Sequence, residues 1–151
     1  MQHGNAFQII AYHARIYAPD GNVLSTYRDH YDRLAIGFDH TRGTLEDQTI
    51  TEDQSRDLIN EDLAWLLERI VPLIDGAVLY ENQWNALMSF AHSMKFSDFA
   101  QTTVVARIRC RRLDDVAAEM MKHVEHDARA LRLLMRRRES EVALWNQSSS
   151  G

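Results

Sequence analysis

From residue 51 onward, apolar side chains recur at three- and four-residue steps. Leu58, Ile59, Leu63, Leu66, Leu67, Ile70, Val71 and Ile74 fall on one stripe, which predicts a long amphipathic helix ending near Pro72 to Gly76. Thr51-Glu52-Asp53-Gln54 has capping-box spacing, with the Thr hydroxyl and the Gln side chain satisfying backbone N–H groups that the first turn leaves open. Shorter stripes predict helices at about 81–94 (Trp84, Leu87, Met88, Ala91), 103–111 (Val104, Val105, Ile108), 114–127 (Val116, Ala117, Met120, Met121, Val124) and 129–145 (Leu131, Leu134, Met135, Val142, Trp145). Short polar connections between them suit a compact helical bundle.

The first 50 residues carry a different pattern. Residues 5–18 read as a helix stopped by Pro19, because proline disfavours helical geometry in the residue before it. Between Gly21 and Thr44 lie the short runs Val23-Leu24, Thr26-Tyr27 and Leu34-Ala35-Ile36-Gly37-Phe38, which suit a small hairpin or a three-stranded sheet. The polar end, 146–151, reads as a frayed, flexible tail. The fold class that follows is α+β, mostly α. A small N-terminal β lobe (about 20–50) is joined by a long helix to a helical lobe formed by 5–18 and 51–145, all within one bilobed domain over 1–145.

Composition narrows the picture. With 45% hydrophobic and 26% charged residues in 151, the chain can bury a real core. No stretch approaches the ~20 apolar residues of a membrane span, and no secretion signal is expected. Cys110 is the sole cysteine, read as a small, partly buried side chain, so no intrachain disulfide can form. The net charge of −5 is uneven: residues 1–99 hold 7 basic and 15 acidic side chains, leaving 10 and 7 for residues 100–151. The C-terminal part could meet an anionic polymer, or its charges could simply form solvated helix faces.

A helix, a small β lobe rich in Asp and aromatic residues, then an all-α lobe resembles the layout of the phage-type lysozymes, the muramidases of glycoside hydrolase family 24. In that family the first helix ends in Glu-Gly, a Tyr-x-Asp follows, and then a stretch like Thr-Ile-Gly-x-Gly-His. This chain has Asp20-Gly21, Tyr27-Arg28-Asp29 and Ala35-Ile36-Gly37-Phe38-Asp39-His40, in register without a gap. Downstream, 49–54 is similar to the family's entry into its interlobe helix. The stretch 83–91 resembles its Gln-Phe-Asp-Ala-Leu-Val-Ser-Phe-x helix, 99–103 its Phe-x-x-Ser-Thr turn, and 136–145 its closing Arg-Arg-x-x-Glu-x-x-Leu-Trp helix. The resemblance covers about residues 5–145.

Hydrolysing a glycosidic bond takes one carboxylic acid to protonate the leaving oxygen and a second carboxylate to stabilise charge or activate water. The resemblance implies that the catalytic positions are Asp20 (the family's acidic Glu), Asp29 (its second carboxylate) and Ala35 (its water-positioning Thr). An Asp is one methylene short, and misplacement on the scale of about 1 Å can cost ~100-fold. Ala35 lacks a hydroxyl contact worth about 1–3 kcal/mol, a factor of ~5 to 150. Together these put turnover ~500-fold or more below a normal relative.

Each position also has a plainer reading. Pro19-Asp20-Gly21 is a turn signature in its own right, and Asp29 sits where a hairpin turn is natural. Gly37 reads as a backbone requirement and His40 as a side chain bonding across the lobes. By resemblance, Phe38, His40 and Arg137 are candidates for contacting substrate. One of Arg136, Arg137 and Arg138 would approach the acid, while the other two suit a solvated face.

His30, Asp32, Asp39 and His40, or His123 and His126, could be gathered around a metal, yet no accepted zinc motif is present, so neither metal nor cofactor is expected. The Arg107, Arg109, Arg111, Arg112 run lacks a nucleic-acid-binding motif, and nucleic acid is not the expected partner. Two functional classes stand. One is a lysozyme-like module without catalysis, binding peptidoglycan glycan strands or a protein partner in a phage or bacterial assembly. The other is a divergent muramidase cleaving between N-acetylmuramic acid and N-acetylglucosamine, with Asp20 as acid and Asp29 as second carboxylate. By resemblance the chain is made in a host cytoplasm and acts at the cell wall or within a phage particle.

Overall fold

The computed structural model describes residues 4–15, 17–29, 31–124 and 128–147. Helix α1 (Gly4–Ala14) leads into a hairpin of β1 (Val23–Arg28) and β2 (Leu34–Gly37), followed by α2 (Glu52–Leu73) and α3 (Glu81–His92). Then come α4 (Phe96–Ala100), α5 (Thr103–Arg109), a 3₁₀ turn at Leu113–Asp115, α6 (Val116–Met121) and α7 (Ala128–Trp145). Among the described residues no helix is long and apolar enough to cross a membrane.

The capping box at the start of α2 forms as its residue types require. Gln54 N donates to Thr51 Oγ1 at 3.1 Å and Thr51 N to Gln54 Oε1 at 2.9 Å. Pro72 removes one backbone donor just before the helix ends, and Asp75 and Gly76, both at positive φ, turn the chain away. Ile59, Leu63, Leu66 and Ile70 of the apolar stripe are buried, whereas Val71 is exposed. Helix α3 is buried over Asn85–Ala91 and packs against α1, α2 and α7, which makes it the centre of the core.

The β lobe is an antiparallel pair with Tyr27 opposite Ala35 and Val23 opposite Gly37, its register irregular between them. A third segment contributes only an isolated bridge, Ser25 with Thr49.

Three expectations need correction, and one helix was not anticipated. Helix α1 ends at Ala14, not 18, because a succession of turns takes over: Arg15 N reaches Tyr12 O, Tyr17 N reaches Ala14 O, and Gly21 N reaches Ala18 O. Gly21, at φ 75°, then passes so close to α1 that a Cβ there would lie 2.2 Å from Ala11 O. The expected helix over 114–127 is split into the 3₁₀ turn and the short α6, with residues 125–127 outside the described set. Cys110 is exposed, since it caps the C-terminus of α5 instead of lying on its buried face. Helix α4, whose Phe99 is fully buried, was not legible as a helix at all. Of the tail, residues 148–151 lie outside the described set.

Candidate functional site

A cleft of about 430 Å³ opens between the lobes. The hairpin side supplies Arg33, Leu34, Thr41 and Arg42, α2 supplies Asp62, Trp65 and Leu66, and the far wall is Ala91, His92, Met94, Lys95 and Phe96. These residues meet because α2 spans the junction and because α3 ends at the cleft, presenting His92 in its last turn.

Asp62 is the hinge pin of this arrangement. It lies on the buried face of α2 with a side chain only 7% exposed, and three basic side chains converge on it. His40 Nδ1 is 2.9 and 3.0 Å from its two oxygens, Arg42 Nη2 3.2 Å, and His92 Nε2 3.4 Å. Burial alone would raise the Asp62 pKa, but the His40 and His92 contacts outweigh it and hold the carboxyl well below the usual range. Burial likewise opposes charge on His40, and the Asp62 carboxylate overcomes it and raises the imidazole pKa. Beside this knot, the Trp65 ring has the guanidinium carbons of Arg42 and Arg69 at 4.5 and 4.7 Å from its centroid, with Phe96 edge-on at 5.4 Å.

The three positions expected to carry catalysis sit elsewhere. Asp20 is exposed, and its Oδ1 accepts a hydrogen bond from Asn22 N at 3.0 Å, the Asx turn that Pro19-Asp20-Gly21 suggested. Residues 15–19 separate it from the end of α1, so it does not terminate the first helix as the resemblance implied. Asp29 is buried and fully engaged: Oδ1 accepts from Tyr31 N and Arg33 N and Oδ2 from Arg33 Nε, each at 2.9 Å. Ala35 is fully buried in β2 opposite Tyr27. None of the three lines the cleft.

Of the candidates for substrate contact, Phe38 is packed in the core with its ring edge-on to Phe7 at 5.0 Å. His40 bonds across the lobes through Asp62. Arg137 is buried, bonded to Glu141 Oε2 at 3.2 Å and donating to Ser89 O at 2.7 Å. Two of the three arginines were expected on a solvated face, yet Arg138, at 1% exposure, is buried along with Arg137. It pairs with Glu141, donates to His123 O and lies over the Phe90 ring, so α7 turns two guanidiniums inward and leaves Arg136 outside with Tyr12. Among the described residues no group of three or more His, Cys, Asp or Glu side chains is arranged to hold a metal, and His30 and His126 fall outside them.

Sequence reasoning missed Asp62, Trp65 and His92. One signal for Asp62 was available: it is the single acidic side chain at an i+3 step within the stripe running from Ile59 through Leu63 to Leu66. For His92 no local signal exists, since its partner lies 30 residues away.

The phage lysozyme family model matches residues 18–141. The endolysin of Salmonella phage P22 is 29% identical over 136 residues, covering 87% of this chain and 92% of its own length. Among solved structures, the muramidase domain of SpmX from Asticaccaulis excentricus superposes with a TM-score of 0.76 at 24% identity and 95% coverage of both chains. A mutant P22 lysozyme gives a TM-score of 0.68 at 25% identity, with 97% of this chain and 99% of that one covered.

Proposed function

The chain belongs to the phage lysozyme family, and from that premise we propose that it holds peptidoglycan glycan strands in its interlobe cleft, with hydrolysis weak or lost. The observation that supports this reading is the contrast between a cleft lined by aromatic rings and hydrogen-bond donors and the three residues expected to carry catalysis, which lie outside its lining and in local turns, pairings and core. Phe96 and the Trp65 ring, which carries the guanidiniums of Arg42 and Arg69, give the cleft an aromatic lining for pyranose rings, while Arg33, Arg42 and Lys95 offer donors to N-acetyl carbonyls and to the carboxylates of stem peptides.

Recruiting Asp29 as a second carboxylate would mean breaking its pairing with Arg33 and two backbone donors, each charge-assisted bond contributing about 1.5–3 kcal/mol. Recruiting Asp20 would require moving an exposed turn. The route with Asp20 as acid and Asp29 as partner therefore has little in its favour.

Co-sedimentation with purified sacculi tests the reading. Wild-type protein is expected to pellet with the sacculi, and Trp65→Ala to weaken that binding about tenfold, equivalent to roughly 1.4 kcal/mol. Protein that stays in the supernatant overturns glycan binding and favours a protein partner.

A further inference from the structure

A second cavity, of about 400 Å³, adjoins the cleft, and Arg42 and Thr44 belong to the lining of both. Ile36, Ile50 and Leu58 give it apolar walls, and His40, Gln48 and Glu61 add polar groups. Helix α2 serves the two spaces from neighbouring faces. Asp62 and Trp65, one turn apart, line the cleft, while Leu58 and Glu61, also one turn apart, line the second cavity. Gly43, at φ 70°, is part of the same lining, and a Cβ added there would meet nothing within 4 Å, so the turn leaves room beside it.

The charges of this cavity are of both signs and are not spent on each other. Glu61 is exposed and has no ion-pair partner among the described residues, the ties from α2 to the β lobe running through Asp62 instead. Arg42 is fixed from two sides, by Asp62 Oδ1 at 3.2 Å and by the Trp65 ring, with most of its five donors left over. Gln48 Oε1 accepts from Leu45 N at 2.8 Å, which leaves the amide NH₂ to donate. An anchored cation and an unpaired anion on one apolar-walled cavity match a ligand that carries a carboxylate and an ammonium joined by an aliphatic stretch. An N-acetylated sugar has no cation to offer Glu61, and a phosphate would be repelled by it.

We infer that the second cavity holds the stem peptide of peptidoglycan, with a carboxylate of its diamino acid on Arg42 and the ammonium at Glu61. The inference rests on glycan strands occupying the cleft, because the strand carries the peptide. Three peptide residues span up to about 10 Å, and the two spaces meet at Arg42 and Thr44, so a peptide branching from a sugar in the cleft has a short path past that turn. Ile36, Ile50 and Leu58 cover the methylenes of the diamino acid, and the Gln48 amide donates to a peptide carbonyl. The protein thereby selects strands that bear stem peptides over strands stripped of them.

Amide NMR shifts of isotope-labelled protein, titrated separately with L-Ala-γ-D-Glu-meso-diaminopimelate and with chitotetraose, test this. The tripeptide is expected at millimolar concentration to shift Gly43, Thr44, Gln48 and Glu61, and chitotetraose to shift Trp65, His92 and Phe96. Glu61→Lys sets a like charge against the ammonium and is expected to weaken the tripeptide at least ~tenfold relative to chitotetraose. Glu61→Gln, which removes one solvent-screened attraction, is expected to weaken it about threefold. The same spectra report whether each variant is folded. A tripeptide that shifts only cleft residues or none, or that binds Glu61→Lys as tightly as wild type, overturns the inference. Chitotetraose that shifts nothing while the tripeptide binds would instead defeat the glycan reading on which it rests.

Discussion

The helical lobe and the β lobe have handled their polar residues in opposite ways. In the helical lobe Glu141 is fully buried, yet Arg137, Arg138 and the Ser89 hydroxyl surround it, so α7 and α3 are locked together by a satisfied network. In the β lobe the acidic side chains are divided between a surface turn at Asp20, a closed local knot at Asp29 and the under-supplied Asp39. Packing holds the first lobe to the family pattern, whereas the second tolerates changes at single positions because its backbone is set by turns and glycines. Retention of the fold therefore says little about retention of the chemistry.

The sharpest way to break this contrast is to remove the helical lobe's anchor. Glu141→Ala leaves two buried guanidiniums unpaired and is expected to destabilise the protein by about 3–5 kcal/mol, read from its urea unfolding midpoint. A loss under 1 kcal/mol would mean that apolar packing alone holds α7.

The junction between the lobes should respond to pH. The Asp62 pKa is depressed in the folded state, so its contribution is present above the unfolded value of about 4 and is lost as pH falls through the folded value. The His40 pKa is raised, so its contribution is complete below about 6.5 and is lost as pH climbs through the folded value. The stability difference between wild type and Asp62→Asn is therefore expected to be largest between about pH 4 and 6.5 and to shrink on either side. A difference that is flat with pH would remove Asp62 from its place as the tie.

The smallest effect is expected at the surface turn. Asp20→Ala gives up one Asx hydrogen bond and is expected to cost about 0.5–1 kcal/mol, without altering binding to sacculi. A large drop in turnover with unchanged stability would instead return Asp20 to the chemistry.

Much of this molecule was legible from residue order. The stripe and capping box of α2, the centre of α3 and the course of α7 follow from periodicity and local hydrogen bonding, which neighbours within four residues decide. The Asp20 turn was legible for the same reason. The inward turn of Arg138 was not, because which face of a polar helix is buried depends on what packs against it, here Ser93, Phe90 and the His123 carbonyl. The C-terminus of α1 was misjudged because the residues after Ala14 stop the helix by turning back on it, before Pro19 is reached.

By itself the sequence determined that the family's scaffold is present and that Asp20 and Ala35 stand where the resemblance puts the family's Glu and Thr, since both are statements about residue types in order. Only the tertiary structure decided where the carboxyls point. Asp29 is consumed by its own hairpin, Asp62 draws His40 and His92 across 22 and 30 residues to close the junction, and Asp39 is buried beside the Tyr27 hydroxyl of β1. The affinity of a carboxyl for its proton is set by the charges and the exclusion of water around it, and those come from segments distant in the chain.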